Sequence, residues 1–386
     1  MDQPLGHNRS RNRSRQTRLC WAVHRRVDKA HIVALIIMTD DGIRFDGRMA
    51  ESEPLGGAET AFVGLAEGFA ARGHEVVAYC NAAQSIEHRG VRWHPIAEGP
   101  PAAADLYIAN RGDKLLSLVP RARSVAFWIH NPGSYLLKWR YLWKLARRRP
   151  AIVFCGAFHA STYPRWAPAG ARVLIPYGIS EVFRRTPPAD APPAPRAVFT
   201  SNPTRSLDWL LDLWVEQIRP RVPGAELHIF SGPRTYGAMG VAKAAQMLPV
   251  LERARALGTA GVVLRGAVGK QELATEMARM RAYLYRGDPG EAFCTSAGEA
   301  QAMGLPGVVE NIACMAERID HGVTGCVAAN RDEFVRAAAR ILTDDSLWRA
   351  QHAAALARKR NFGWGDAAAQ FEGLFLPGRE ASGIAA

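Results

Sequence analysis

The chain has 386 residues, 48% of them hydrophobic and 22% charged, with a formal net charge of +13. That length exceeds one ordinary core and fits two domains, and the balance excludes a disordered or fibrous chain. No run reaches the roughly 18 apolar residues of a membrane span, and the six cysteines form no Cys-x-x-Cys pair, so they read as free thiols in a reducing cytosol.

Residues 1–30 carry eight basic against two acidic side chains and little apolar content, which predicts a disordered basic tail. His31–Met38 is an apolar, strand-sized run, too short for a signal peptide and followed by no small-residue cleavage site. From there short β-branched runs alternate with helix-length segments. Strands are predicted at His31–Met38, Glu75–Cys80, Val91–Ile96, Asp105–Ala109, Ser124–His130, Ala151–Cys155 and Arg172–Pro176. The second half repeats the habit at Ala197–Ser201, Glu226–Ser231, Val262–Gly266, Ala282–Tyr285 and Gly307–Glu310. Such alternation indicates α/β architecture with largely parallel sheets. Between the halves, five of the twelve residues of Arg184–Pro195 are proline, which favours extended, semi-rigid backbone and predicts a linker over 184–195. Domains are therefore expected over 31–183 and 196–361. Two of them joined by a hinge imply a cleft, with function in the loops that follow the strands.

Two motifs fit such loops. Gly56-Gly57 opens a helix whose apolar positions from Ala58 to Ala70 recur on one face, with Gly73 as its C-cap. Paired glycines before a helix let backbone approach a ligand and aim free N–H groups at an anion, although two glycines there also make an ordinary turn. Second, a strand leads through a Gly/Asp/Pro loop containing Glu291 into a helix beginning near Thr295, with Glu299 inside it. The helix N-terminus suits a phosphate. Glu291 can accept hydrogen bonds from sugar hydroxyls, and Glu299 can take a bidentate pair from a ribose diol.

The Glu-x7-Glu block, EAFCTSAGEAQAMGLP, resembles the signature of retaining GT-B glycosyltransferases of family GT4, and GGAETAFVGLAEGFAARGHEV resembles that family's glycine loop and first helix. The likeness runs from about residue 31 to Trp364–Phe375. It implies two Rossmann-like domains, the N-terminal one facing the acceptor and the C-terminal one binding a nucleotide sugar, with residues 362–376 forming a helix that crosses back. It further implies that Glu291 binds the donor sugar and that the backbone at Phe293 and Cys294 and the helix start at Thr295 hold phosphate. Glu299 would hold the ribose, Gly56 and Gly57 would close over the diphosphate, and backbone near Gly266 and Val268 would meet the base. His130 would face acceptor and sugar, and Arg205 the diphosphate. The family's lysine about five residues after Arg205 is missing from Ser206–Leu211, which leaves Arg234, Arg265 or Lys270 as substitutes, or a weakened clamp. Donors for the departing charge without a metal imply no cofactor and no obligatory cation. Asp40-Asp41 reads as a loop, not as a metal pair.

Pro132–Pro150 combines eight aromatic and leucine side chains with six cations. Residues 135–149 suit an anionic membrane surface, or equally an ordinary domain helix with its aromatics in the core. The expected function is transfer of a sugar from a nucleotide-diphosphate donor to a glycan or lipid-linked acceptor, in cell-surface polysaccharide or glycolipid assembly, in the cytoplasm or peripherally on the inner membrane. An epimerase of the same architecture, or a non-catalytic nucleotide-sugar or nucleic-acid-binding protein, is the alternative; no specific nucleic-acid module is recognisable.

Overall fold

The computed structural model describes residues 33–52 and 55–376; the basic tail expected over 1–30 lies outside them, as does Cys20. Among the described residues fourteen strands form two sheets. The first contains β1 (Leu35–Asp40), β2 (Glu75–Cys80), β3 (Ile86–His88), β4 (Val91–Pro95), β5 (Ala103–Asn110), β6 (Arg121–Trp128), β7 (Ala151–Phe154) and β8 (Ala171–Leu174). Its order is β3-β4-β2-β1-β5-β6-β7-β8, parallel except for the β3–β4 hairpin. The second contains β9 (Arg196–Phe199), β10 (Glu226–Ile229), β11 (Val262–Leu264), β12 (Ala282–Leu284), β13 (Gly307–Glu310) and β14 (Gly325–Ala328) in the all-parallel order β11-β10-β9-β12-β13-β14. Both strand orders reverse direction once, between β1 and β5 and between β9 and β12. Ligands of open α/β sheets bind at such switch points, beyond the carboxyl ends of the strands.

Five helices frame the space between the sheets: α1 (Gly57–Ala71), α2 (Trp139–Arg148), α3 (Lys270–Met277), α4 (Thr295–Ala302) and α5 (Trp364–Phe375). The apolar face of α1 buries Ala61, Phe62, Leu65 and Phe69 against the first sheet. Its end is capped as the sequence predicts, with Gly73 at φ +86° and the Gly73 amide donating to the Ala70 carbonyl at 2.9 Å. Thr186–Pro195 carries no helix or strand. Helix α5 lies back on the first sheet's side. Phe371 packs edge-on against Phe69 and Trp128, both at 5.9 Å, and Glu372 forms an ion pair with Arg72 and accepts a hydrogen bond from His74 Nε2. Gly64 and Gly68, one turn apart on α1, leave the room that Trp364 fills; an added Cβ at either would collide with it.

Three features depart from the sequence reading. Val33 and Ala34 precede strand β1 instead of extending it, the Ala34 amide donating to His74 Nδ1 at 3.2 Å, while His31 and Ile32 lie outside the described residues. Strand β3 has three residues and is set by the turn Arg89-Gly90, both at positive φ (48° and 74°), the geometry of a tight hairpin. Asp40 is the last residue of β1, not part of a loop.

Candidate active site

A cleft of about 1360 Å³ opens between the carboxyl ends of the two sheets and is lined by both. On the second sheet's side, β12 runs into the loop that carries Glu291, and α4 starts at Thr295, where the sequence places it. Cys294 caps α4 in the left-handed conformation (φ 58°), which costs a non-glycine residue energy and turns the chain sharply beneath the helix N-terminus. Glu291 is 6% exposed, and its Oε1 accepts from Arg205 Nη1 at 2.8 Å. Its Oε2 has no hydrogen-bond partner among the described residues. Burial raises the Glu291 carboxyl above the usual range, and Arg205 opposes that shift.

Arg205 comes from the loop after β9, within 4.0 Å of Asp288 as well. Leu210, five residues on, is fully buried in the packing around the second sheet, so that position offers the cleft no side chain. Of the three substitute cations, Lys270 lines the cleft. It starts α3, donates to Glu299 Oε1 and sits 5.4 Å over the Phe183 ring. Arg265 turns away to Glu276 at 2.9 Å, and neither it nor Arg234 lines the cleft.

The first sheet contributes a chain of hydrogen bonds. Parallel register sets Asp40 opposite Asn110 and Asn110 opposite Trp128 at the carboxyl edge. Arg111, next in line, donates from Nε to Asp40 Oδ2 at 3.0 Å and from Nη2 to Glu59 Oε1 at 2.8 Å. Burial raises the Asp40 carboxyl, with Arg111 pulling the other way. Asn110 donates its amide to Asp40 and presents its carbonyl to His130 Nε2, while Tyr177 meets His130 Nδ1. With the amide so oriented, His130 must carry its proton on Nε2 and accept from the Tyr177 hydroxyl. Burial holds this histidine well below its ordinary pKa, so it is neutral with both nitrogens engaged.

Gly56 caps α1 and Gly57 begins it; a Cβ on Gly57 would stand 3.3 Å from Thr295 Oγ1 across the cleft. The N-termini of α1 and α4 therefore face each other over one narrow space. Phe293 packs at a tilt of 36° against Tyr177 with ring centroids 4.6 Å apart, which joins the two walls behind it.

The structure thus gathers Gly56, Gly57, His130, Arg205, Val268, Glu291, Phe293, Cys294, Thr295 and Glu299 around the cleft. Gly266 is left out: it lies with Arg255 and β11 at a separate surface depression, and Ala267 takes its place on the cleft wall. His130 stands two residues past the end of β6 rather than in the strand. Asn110, Arg111, Glu59 and Tyr177 were not anticipated. The signal available for Asn110 and Arg111 was their position at the carboxyl end of a strand. The group of potential metal ligands among the described residues, His321, Cys326 and Glu333, lies around the outer strand β14 and does not line the cleft.

Two Rossmann-like parallel sheets opening onto one cleft define the GT-B fold. Residues 194–344 match the family model described as glycosyl transferases group 1. No curated protein matches the chain in sequence. Among solved structures, HepE of Anabaena in complex with UDP and glucose is 14% identical over 89% of this chain and 99% of that one, with a TM-score of 0.67. Sucrose-phosphate synthase of Thermosynechococcus elongatus is 17% identical over 89% and 98%, with a TM-score of 0.65. AviGT4, a glycosyltransferase involved in avilamycin A biosynthesis, is 16% identical over 89% and 97%, with a TM-score of 0.60.

Proposed function

We propose that the chain is a glycosyltransferase of the retaining GT-B type, family GT4, moving a hexose from a nucleotide-diphosphate sugar to a glycan or lipid-linked acceptor. The observation that carries the reading is the meeting of the α1 and α4 N-termini at Gly57 and Thr295, with Arg205 on the same cleft. Two helix ends bring unpaired N–H groups and partial positive charge to one spot, which suits a diphosphate. As the sugar–phosphate bond breaks, negative charge grows on the leaving diphosphate. Preorganised amides and a guanidinium stabilise it without reorganisation, and no metal is required.

The free Glu291 Oε2 is an acceptor for sugar hydroxyls, and Glu299 is an acceptor for the ribose diol once Lys270 yields it. Lys270 then stands as the second cation of the donor wall. His130, neutral and held at both nitrogens, orients the sugar-facing wall and carries no proton in the reaction. The chain would act in cell-surface polysaccharide or glycolipid assembly on the cytoplasmic side of the membrane.

Incubation with UDP-, GDP-, ADP- and dTDP-sugars, with and without EDTA, tests this through release of nucleoside diphosphate. One nucleotide family should be turned over, EDTA should not matter, and Glu291→Gln should lose most of the rate. Conversion of a donor to its epimer without acceptor would instead establish epimerase chemistry, and turnover of none of them would remove the proposed activity.

A further inference from the structure

Helix α2 divides its apolar side chains between two faces. Tyr141 and Leu145, one turn apart, are buried in the first sheet's second core. Trp139 and Trp143, also one turn apart, point outward and are 77% and 45% exposed. A helix serving only the core would bury its indoles first, since they are the largest apolar groups it has. A third indole, Trp166, is 73% exposed on the loop that follows Tyr163. That loop is fastened to both ends of the α2 segment: the Gly133 amide donates to Thr162 Oγ1 at 2.6 Å, and the Gly170 amide to the Pro150 carbonyl at 2.9 Å. The three indoles therefore belong to one region of the surface.

That region is strongly basic, with Asp113 pairing Lys144 and Arg140 at its cleft edge. Residues 114–180 contain eleven lysines and arginines and no aspartate or glutamate. Lys138, Arg147 and Arg148 are exposed beside the indoles. Among the described residues no helix is long and apolar enough to cross a membrane. Indoles level with cations on the outer face of an amphipathic helix match a headgroup layer, where the rings take the polar–apolar boundary and the cations the lipid phosphates. Sites for single-stranded nucleic acid instead seat bases in a basic groove. These indoles stand on the outside of a helix and a loop, and none lines the cleft.

We infer that this face docks on an anionic lipid bilayer. The opposite edge of α2 supplies Arg140 and Tyr141 to the cleft, so docking brings the first sheet's wall to the bilayer surface. An acceptor anchored in lipid then reaches the cleft without leaving the membrane. This last step rests on the function proposed above; the docking itself does not.

Sedimentation of the full chain with vesicles of phosphatidylcholine, alone or mixed with phosphatidylglycerol, tests the inference. The chain should bind the mixed vesicles and only weakly the neutral ones. Changing Lys138, Arg147 and Arg148 together to glutamine should weaken binding by about a hundredfold at low salt. Changing Trp139, Trp143 and Trp166 to alanine should weaken it by about tenfold or more, in high salt as well. Both variants should keep the melting temperature and the nucleotide-sugar turnover of the parent, which separates failure here from failure of the activity. Undiminished vesicle binding by both variants, or binding to an oligouridylate that both variants lose while vesicle binding persists, would overturn the inference.

Discussion

The wall of the cleft built by the second sheet offers backbone amides, two buried carboxylates and cations that hold them until a ligand arrives. The wall built by the first sheet is a closed chain of side chains, Glu59–Arg111–Asp40–Asn110–His130–Tyr177, in which nearly every polar atom already has its partner. The first arrangement can exchange an internal partner for a substrate group at little cost. The second leaves a buried charge or polar group without its partner if any member leaves. One wall is thus shaped for chemistry and the other, apart from the α1 N-terminus it carries, for rigidity, although both stand at the switch points of similar sheets.

This difference can be broken most severely at Arg111. Arg111→Met leaves Asp40 and Glu59 buried without a counter-charge and should cost about 3–5 kcal/mol of stability, read by denaturant unfolding. Arg205→Ala should do the reverse. Turnover should fall by about a hundredfold to a thousandfold while stability falls less than in Arg111→Met, because Arg205 is partly exposed, leaves one buried carboxylate rather than two, and is proposed to act on the departing phosphate. If both substitutions acted mainly on stability, or both mainly on turnover, the contrast between the walls would not stand.

Two smaller effects sharpen it. Glu372, held down to about 2 between His74 and Arg72, fastens α5 to the first sheet's side. Its contribution is present above the ordinary carboxylate pKa near 4.5 and is lost as pH falls towards 2. Glu372→Gln should cost about 1.5–3 kcal/mol near neutral pH and less in acid. His130 acts in the same sense but at higher pH. Its folded pKa lies well below 6.5, so the unfolded chain binds the extra proton and stability declines as pH falls below about 6.5. His130→Gln should flatten that part of the stability curve. A turnover profile that follows a histidine near 6.5 would contradict the neutral, doubly bonded ring.

The second wall was largely legible in the sequence because its groups sit close together along the chain. Glu291, Cys294, Thr295 and Glu299 fall within nine residues of one strand–loop–helix unit, and α4 starts where the Gly/Asp/Pro loop ends. The first wall was mostly not legible. Arg111 reaches Asp40 across 71 positions and Glu59 across 52, and His130 reaches Tyr177 across 47. Such pairs depend on strand order, and alternating apolar runs predict parallel sheets without giving the neighbours. The same limit applies to Gly266, which lies at a separate depression while Ala267 and Val268 of its loop face the cleft. It applies also to α2, whose pattern of aromatics and cations fits a core or a surface until the fold shows that Trp139 and Trp143 face out.

The most direct test of the central claim is calorimetric titration of UDP, GDP, ADP and dTDP into the parent chain and Glu299→Ala. One of the four should bind the parent, raise its stability by about 2.7 kcal/mol at a hundred times its dissociation constant, and lose most of its affinity in the variant. Binding of none of them, or equal binding by the variant, would contradict a nucleotide site at the α1–α4 meeting point.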